Sequence, residues 1–186
     1  MLYVSVIIGS AIIIIIANTV FSFSPELLLS NTLSVSLGVI AIIAQDGIGA
    51  LLLRRLTPAK WYAPGRKFFR VTKKERDIYH KLKIKKWKDY VPELGVFTGF
   101  SKSEIKDADD PSYLGKFLVE SNYGVVIHIV NAISGFVILF IPFCSSPSIW
   151  IPIFAVNFVL CLLPVAVLRY TSHTLLKLYE RTQKHK

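Results

Sequence analysis

All 22 Lys and Arg residues fall in two stretches, 54–122 and 169–186. Residues 1–53 and 123–168 carry none, and their only charged side chains are Glu26 and Asp46. Loops on the cytoplasmic side of a membrane collect Lys and Arg, whereas short outer loops lack them. The partition therefore predicts an all-α integral membrane protein with four spans, about 2–22, 34–53, 123–142 and 149–168. Each has roughly the 20 residues that cross a hydrocarbon core of about 30 Å. With 17 basic against 9 acidic residues in 54–122, and 5 against 1 in 169–186, the loop and both termini are expected on the cytoplasmic side. The expectation is one membrane domain over 1–186, multi-pass in the cell membrane. The first span lacks a basic leader and a small-residue cleavage site, so it reads as a retained helix. Trp150, Trp61, Tyr62 and Tyr170 suit interfacial belts.

The loop reads as a folded, basic amphipathic element. Thr72 and Glu75 have capping-box spacing, and Ile78, Tyr79 and Leu82 form an apolar stripe at helical spacing. Lys83, Lys85, Lys86 and Lys88 then surround Ile84 and Trp87, and Pro92 is expected to end this helix. Two roles suit it: lying on anionic membrane lipid, or holding the diphosphate of an acyl-CoA or another phosphorylated donor. A basic cluster this short, pressed against a membrane, argues against nucleic acid. Glu104, Asp107, Asp109 and Asp110 lack the Gly and downstream Glu of a calcium loop and read as a solvated turn. No Cys/His pattern of a metal site is present, and no cofactor is implied. Cys144 and Cys161 are spaced too far apart for a disulfide if the chain between them is helical.

Ionisable groups inside spans are costly and draw attention to function. Asp46 is one such group, about 12 Å inside Arg54 along a helix. Glu120, Gly124, His128, Asn131 and Gly135 share one slowly drifting face. Such a stripe serves either as polar glue between helices, its small residues also suiting a homodimer, or as the wall of a cavity. As a cavity, it offers His128 as a general base for taking a proton from a hydroxyl, since imidazole titrates near neutrality. Asp46 or Glu120 would orient the ring, with His80 as the competing base. No phosphate loop, nucleophile elbow or hydrolase His pair appears, which argues against a covalent acyl-enzyme.

Three stretches carry a resemblance. They are Phe68-Phe69-Arg70-x4-Glu75-x3-Tyr79-x-Lys81-x5-Trp87-Lys88-Asp89-x2-Pro92, Glu120-x3-Gly124-x3-His128, and Leu163-Pro164-x3-Leu168-Arg169-Tyr170. Together they resemble the glycosyl-4,4'-diaponeurosporenoate acyltransferase family, small membrane proteins of Gram-positive bacteria. Val125 and Thr171 depart from the acidic residue and the Asn expected at those positions. The resemblance implies fatty-acyl transfer from an acyl-CoA or lipid donor to a sugar hydroxyl of a glycolipid or glycosylated carotenoid at the inner leaflet. Trp87, Lys88, Lys86, Arg169, Tyr170 and Asn131 would hold donor or acceptor. The alternative reading is a non-enzymatic protein that binds lipid or polyprenyl phosphate, or a subunit of a glycolipid pathway complex.

Overall fold

The computed structural model describes residues 2–22, 24, 26–91, 107–142 and 146–184. Among them all regular structure is helical, and four helices are long and apolar enough to cross a membrane. They are α1 (Leu2–Phe21), α2 (Leu27–Leu56), α5 (Pro111–Ser134, continued as a 3₁₀ helix over Gly135–Phe140) and α6 (Pro147–Lys184). Between α2 and α5 lie 3₁₀ turns at Ala59–Tyr62 and Lys67–Phe69, α3 (Lys73–Lys81), α4 (Ile84–Trp87) and a 3₁₀ turn at Lys88–Tyr90.

Three spans are longer than their apolar stretches. Helix α2 starts at Leu27 rather than 34, α5 at Pro111 rather than 123, and α6 runs past 168 to Lys184. Hydropathy marks where a helix can meet hydrocarbon, not where its hydrogen bonds stop. Nothing between Leu168 and Lys184 breaks a helix, so the expected tail is its last turns.

The chain divides into two compact units, one of residues 1–52 and 129–162, the other of 53–128 and 163–186. The first has an aliphatic core of Ile14, Val35, Ile42, Ile138, Ile149 and Ile153. Exposed on the same unit are Ile12, Ile13, Ile16, Val20, Leu37 and Ile40. So much bare aliphatic surface without charge suits hydrocarbon as its solvent. In the second unit Leu114, Phe117 and Leu118 of α5 pack on Leu175 of α6. Their i, i+3, i+4 spacing makes that seam.

The single helix expected from Thr72 to Pro92 is corrected. Thr72 caps α3, accepting from the Glu75 amide at 3.2 Å, but the helix stops at Leu82 and Lys83 turns left-handed (φ 52°). An unbroken helix would keep Lys83 near the buried side of Tyr79 and swing Ile84 about 140° away from it. The break re-aims the chain: Ile84 is fully buried, and Leu82 stays exposed. The Trp87 indole N–H then donates to the Leu82 carbonyl at 2.9 Å, closing the corner. Pro92, Glu104 and Cys144 lie outside the described residues.

Candidate functional site

In the second unit, α3 and α6 are joined by a charged clamp. Arg169 Nε and Nη2 donate to the two Glu75 carboxylate oxygens at 2.5 and 2.9 Å, and Nη1 donates to the Phe68 carbonyl at 3.0 Å. The Tyr79 hydroxyl donates to the same carboxylate, and the Tyr79 ring meets Tyr170 edge-on at 6.4 Å. The pair is largely shielded, with side-chain exposures of 15% for Arg169 and 21% for Glu75. Burial opposes the Glu75 charge, but hydrogen bonds from Arg169, Tyr79 and the Thr72 amide outweigh it and hold the carboxyl below its ordinary value. Burial, together with the adjacent Glu75 carboxylate, pushes the Tyr79 phenol far up. It therefore remains a neutral donor.

A second cluster ties the end of α2 to α5. The rings of Tyr62 and Tyr123 stack at 3.7 Å. Tyr123 donates to the Thr57 carbonyl at 2.8 Å, and Asn122 Nδ2 donates to the Tyr62 carbonyl at 2.9 Å. Arg54 lies over the Tyr123 ring at 5.4 Å and donates to Glu120 at 2.6 Å. Glu120 is thus engaged by Arg54, and it sits two helical turns, about 12 Å, from His128. An open groove of about 790 Å³ runs beside it, lined by Ala59, Pro64, Gly115, Lys116, Glu120 and Tyr179.

The first unit holds a polar set among apolar helices. Asn131 Nδ2 donates to the Asp46 carbonyl at 3.1 Å, and Gln45 Nε2 donates to Ser134 Oγ at 2.5 Å. The Cys161 thiol approaches Asp46 Oδ2 at 3.8 Å and Asn157 Oδ1 at 3.7 Å. Among the described residues, Gln45 Oε1, Asp46 Oδ1, Asn131 Oδ1 and Asn157 Nδ2 are buried without a well-formed hydrogen bond, although the Asn157 amide lies close enough to act on the Asp46 carboxylate. Most buried polar atoms are satisfied, so this group stays open to a further donor.

The other expected residues fall as follows. His128 is half-buried on α5 in the second unit, and His80 is exposed in the last turn of α3. Trp87 is half-buried, Lys86 is exposed, and Lys88 pairs with Asp89 at 2.5 Å. Asp46 and Asn131 meet in the first unit. Arg54, Tyr62, Arg76, Tyr123 and His173 were not singled out as site residues from the sequence. The spacing of 66 residues between Arg54 and Glu120 leaves no local signal, while Tyr62 was visible only as an interfacial aromatic.

The comparisons with known proteins bear on both units. The family model for glycosyl-4,4'-diaponeurosporenoate acyltransferase matches residues 58–181. No curated protein and no solved structure matches the chain.

Proposed function

The chain belongs to the glycosyl-4,4'-diaponeurosporenoate acyltransferase family, and from that premise we propose that it moves a fatty acyl group onto a sugar hydroxyl at the inner leaflet of the cell membrane. The acceptor is a glycolipid or glycosylated carotenoid, and the donor an acyl-CoA or acyl lipid. Both termini and the basic loop face the cytoplasm, by the distribution of Lys and Arg. One observation carries the reading. The matched stretch spans 58–181, and motif residues far apart in it, Phe68, Glu75, Tyr79, Arg169 and Tyr170, meet in the clamp between α3 and α6.

In the proposed reaction His128 takes the proton of the sugar hydroxyl as its oxygen attacks the acyl carbonyl carbon. The bond from that carbon to the donor's sulfur or oxygen breaks, and the proton passes to the departing group. Separately, in the first unit, the oxygens of Gln45, Asp46 and Asn131 that have no hydrogen-bond partner among the described residues are acceptors that a hydroxylated lipid headgroup would satisfy. Asp46 is assigned to that recognition rather than to a fixed ion pair. Lys86, Lys88 and Trp87 stand at the loop surface that meets the membrane.

The test compares lipid extracts, by mass spectrometry, from cells carrying the intact protein or His128→Ala, both verified in the membrane. A species heavier by one fatty acyl group, present only with the intact protein, is expected and would name the acceptor. Equal amounts from the variant would remove His128 as the base, and no such species from either would remove the acyltransfer reading in that host.

A further inference from the structure

The clamp leaves one cation over. Arg169, expected to hold phosphate, commits Nε, Nη1 and Nη2 to Glu75 and the Phe68 carbonyl. Arg54 is taken by Glu120, and Arg70 by the Gly65 carbonyl and Glu180. Arg55, Arg66 and Arg181 are exposed, where water satisfies them. Arg76 differs from all of these. It is half-buried on α3, its Nε is buried without a hydrogen-bond partner, and none of the ion pairs among the described residues includes it.

Its one side-chain hydrogen bond among the described residues runs from Nη1 to His173 Nε2 on α6, at 3.4 Å. A guanidinium has no lone pair to offer, so it donates to Nε2, and the ring proton belongs on Nδ1. The charges acting on that ring are Lys177, one turn on, and Arg76 itself. Among the described residues the corner therefore holds two cations and a neutral imidazole, with no ion pair to a carboxylate. A shielded cation without an anion is expensive, and a guanidinium fork matches phosphate oxygens in geometry as well as charge. A dianion would balance Arg76 and Lys177 together, as a singly charged carboxylate would not.

We infer that Arg76, Lys177 and His173 form a binding site for a phosphate group, borne by a soluble nucleotide-type acyl donor or by an anionic lipid headgroup. Only the ligand's role as donor rests on the acyltransfer reading. The site itself is tested without turnover.

The experiment uses the full-length protein. Coenzyme A and inorganic phosphate are titrated calorimetrically into the detergent-solubilised form. Thermal stability is compared in nanodiscs of phosphatidylcholine with and without phosphatidylglycerol. Binding of coenzyme A identifies a soluble donor, and stabilisation by phosphatidylglycerol alone identifies a lipid headgroup. For whichever source binds, Arg76→Gln should weaken it roughly tenfold to a hundredfold, the range for losing hydrogen bonds between charged groups. Arg76→Lys should recover part of that loss. Lys177→Gln, an exposed position that leaves the fold intact, should weaken binding several-fold and covers the case in which Arg76→Gln does not fold. Lys60→Gln removes an exposed charge in the 3₁₀ turn Ala59–Tyr62 and should change nothing. The inference is overturned if the intact protein binds none of the three probes, or if Lys60→Gln costs as much as the Arg76 and Lys177 variants.

Discussion

Removing the Glu75 carboxylate tests whether the α3–α6 clamp holds distant parts of the family motif together. Glu75→Ala deletes the acceptor of two Arg169 donors and of the Tyr79 hydroxyl, together with the side-chain half of the α3 cap. Breaking a fully buried pair by removing one partner costs about 3–5 kcal/mol, because the other charge stays behind. Here the two side chains retain 15% and 21% of their exposure, so water recovers part of the loss and about 2–4 kcal/mol is expected. At about 2–4 °C per kcal/mol for a chain of this size, the midpoint should fall by roughly 5–15 °C. Glu75→Gln preserves shape and some hydrogen bonding and should lose about half as much.

The pH dependence supplies the sign. A carboxyl held below its ordinary value contributes stability that is present above that value, 4.5, and is lost as pH falls through the folded one. The Tyr79 phenol, raised from 10.0, contributes stability that is present below 10 and is lost as pH climbs beyond it. Thermal unfolding in detergent, followed by a thiol-independent probe between about pH 2 and 8, should show an acid limb below 4.5 that Glu75→Gln abolishes. A double-mutant cycle with Arg169→Ala should give a coupling of about 1–3 kcal/mol. Additive single losses, or a midpoint for Glu75→Ala within a degree of the intact protein, would refute the reasoning.

Other substitutions separate geometry from composition. Gly49→Ala places a Cβ 2.7 Å from Asn131 Oδ1 and should cost about 1–2 kcal/mol by displacing that amide from the Asp46 carbonyl. Gly47→Ala meets nothing within 4 Å and should instead stabilise by up to about 1 kcal/mol through helix propensity; matching signs in a thermal-shift comparison would count against the packing. Lys83→Gly relieves a left-handed lysine and should gain at most about 1 kcal/mol, read as a small rise in midpoint. Arg54→Ala removes a pair that is 38% exposed on the Arg side, so its thermal cost should stay near 1 kcal/mol, well below that of Glu75→Ala.

The sequence made the class of fold legible because the demands of a bilayer are written residue by residue: apolar runs of fixed length, and charges gathered between them. Helix ends were less legible, since α2, α5 and α6 continue beyond hydrocarbon into segments where nothing breaks them. The break at Lys83 was hidden for a different reason. Lysine is a good helix former, and only the tertiary demand to bury Ile84 overrides it. For the site, type was readable and partnership was not. Asp46 and Asn131 stood out as polar groups in apolar runs, and the structure joins them. Arg169 stood out as a phosphate ligand, but which arginine is committed to Glu75 and which is left over depends on pairing across 94 residues.

The carboxylates of the two units are satisfied differently, and that difference helps to separate residues that hold the fold from residues that recognise something. In the second unit the carboxylates of Glu75 and Glu120 each find a guanidinium within the chain. Cutting such a pair leaves a charge behind, so loss of activity there is inseparable from loss of stability. In the first unit the polar atoms of Gln45, Asp46, Asn131 and Asn157 left over after internal bonding are neutral amides and one carboxylate oxygen, all buried. An atom without an internal partner contributes no native hydrogen bond to lose, and removing it relieves a desolvation cost of about 1–3 kcal/mol. Asp46→Ala also removes the Oδ2 that faces the Cys161 thiol, a weak donor, so stability should change by no more than about 1 kcal/mol while acceptor use is lost. A residue whose loss removes activity with little change in stability is one whose partner comes from outside the chain.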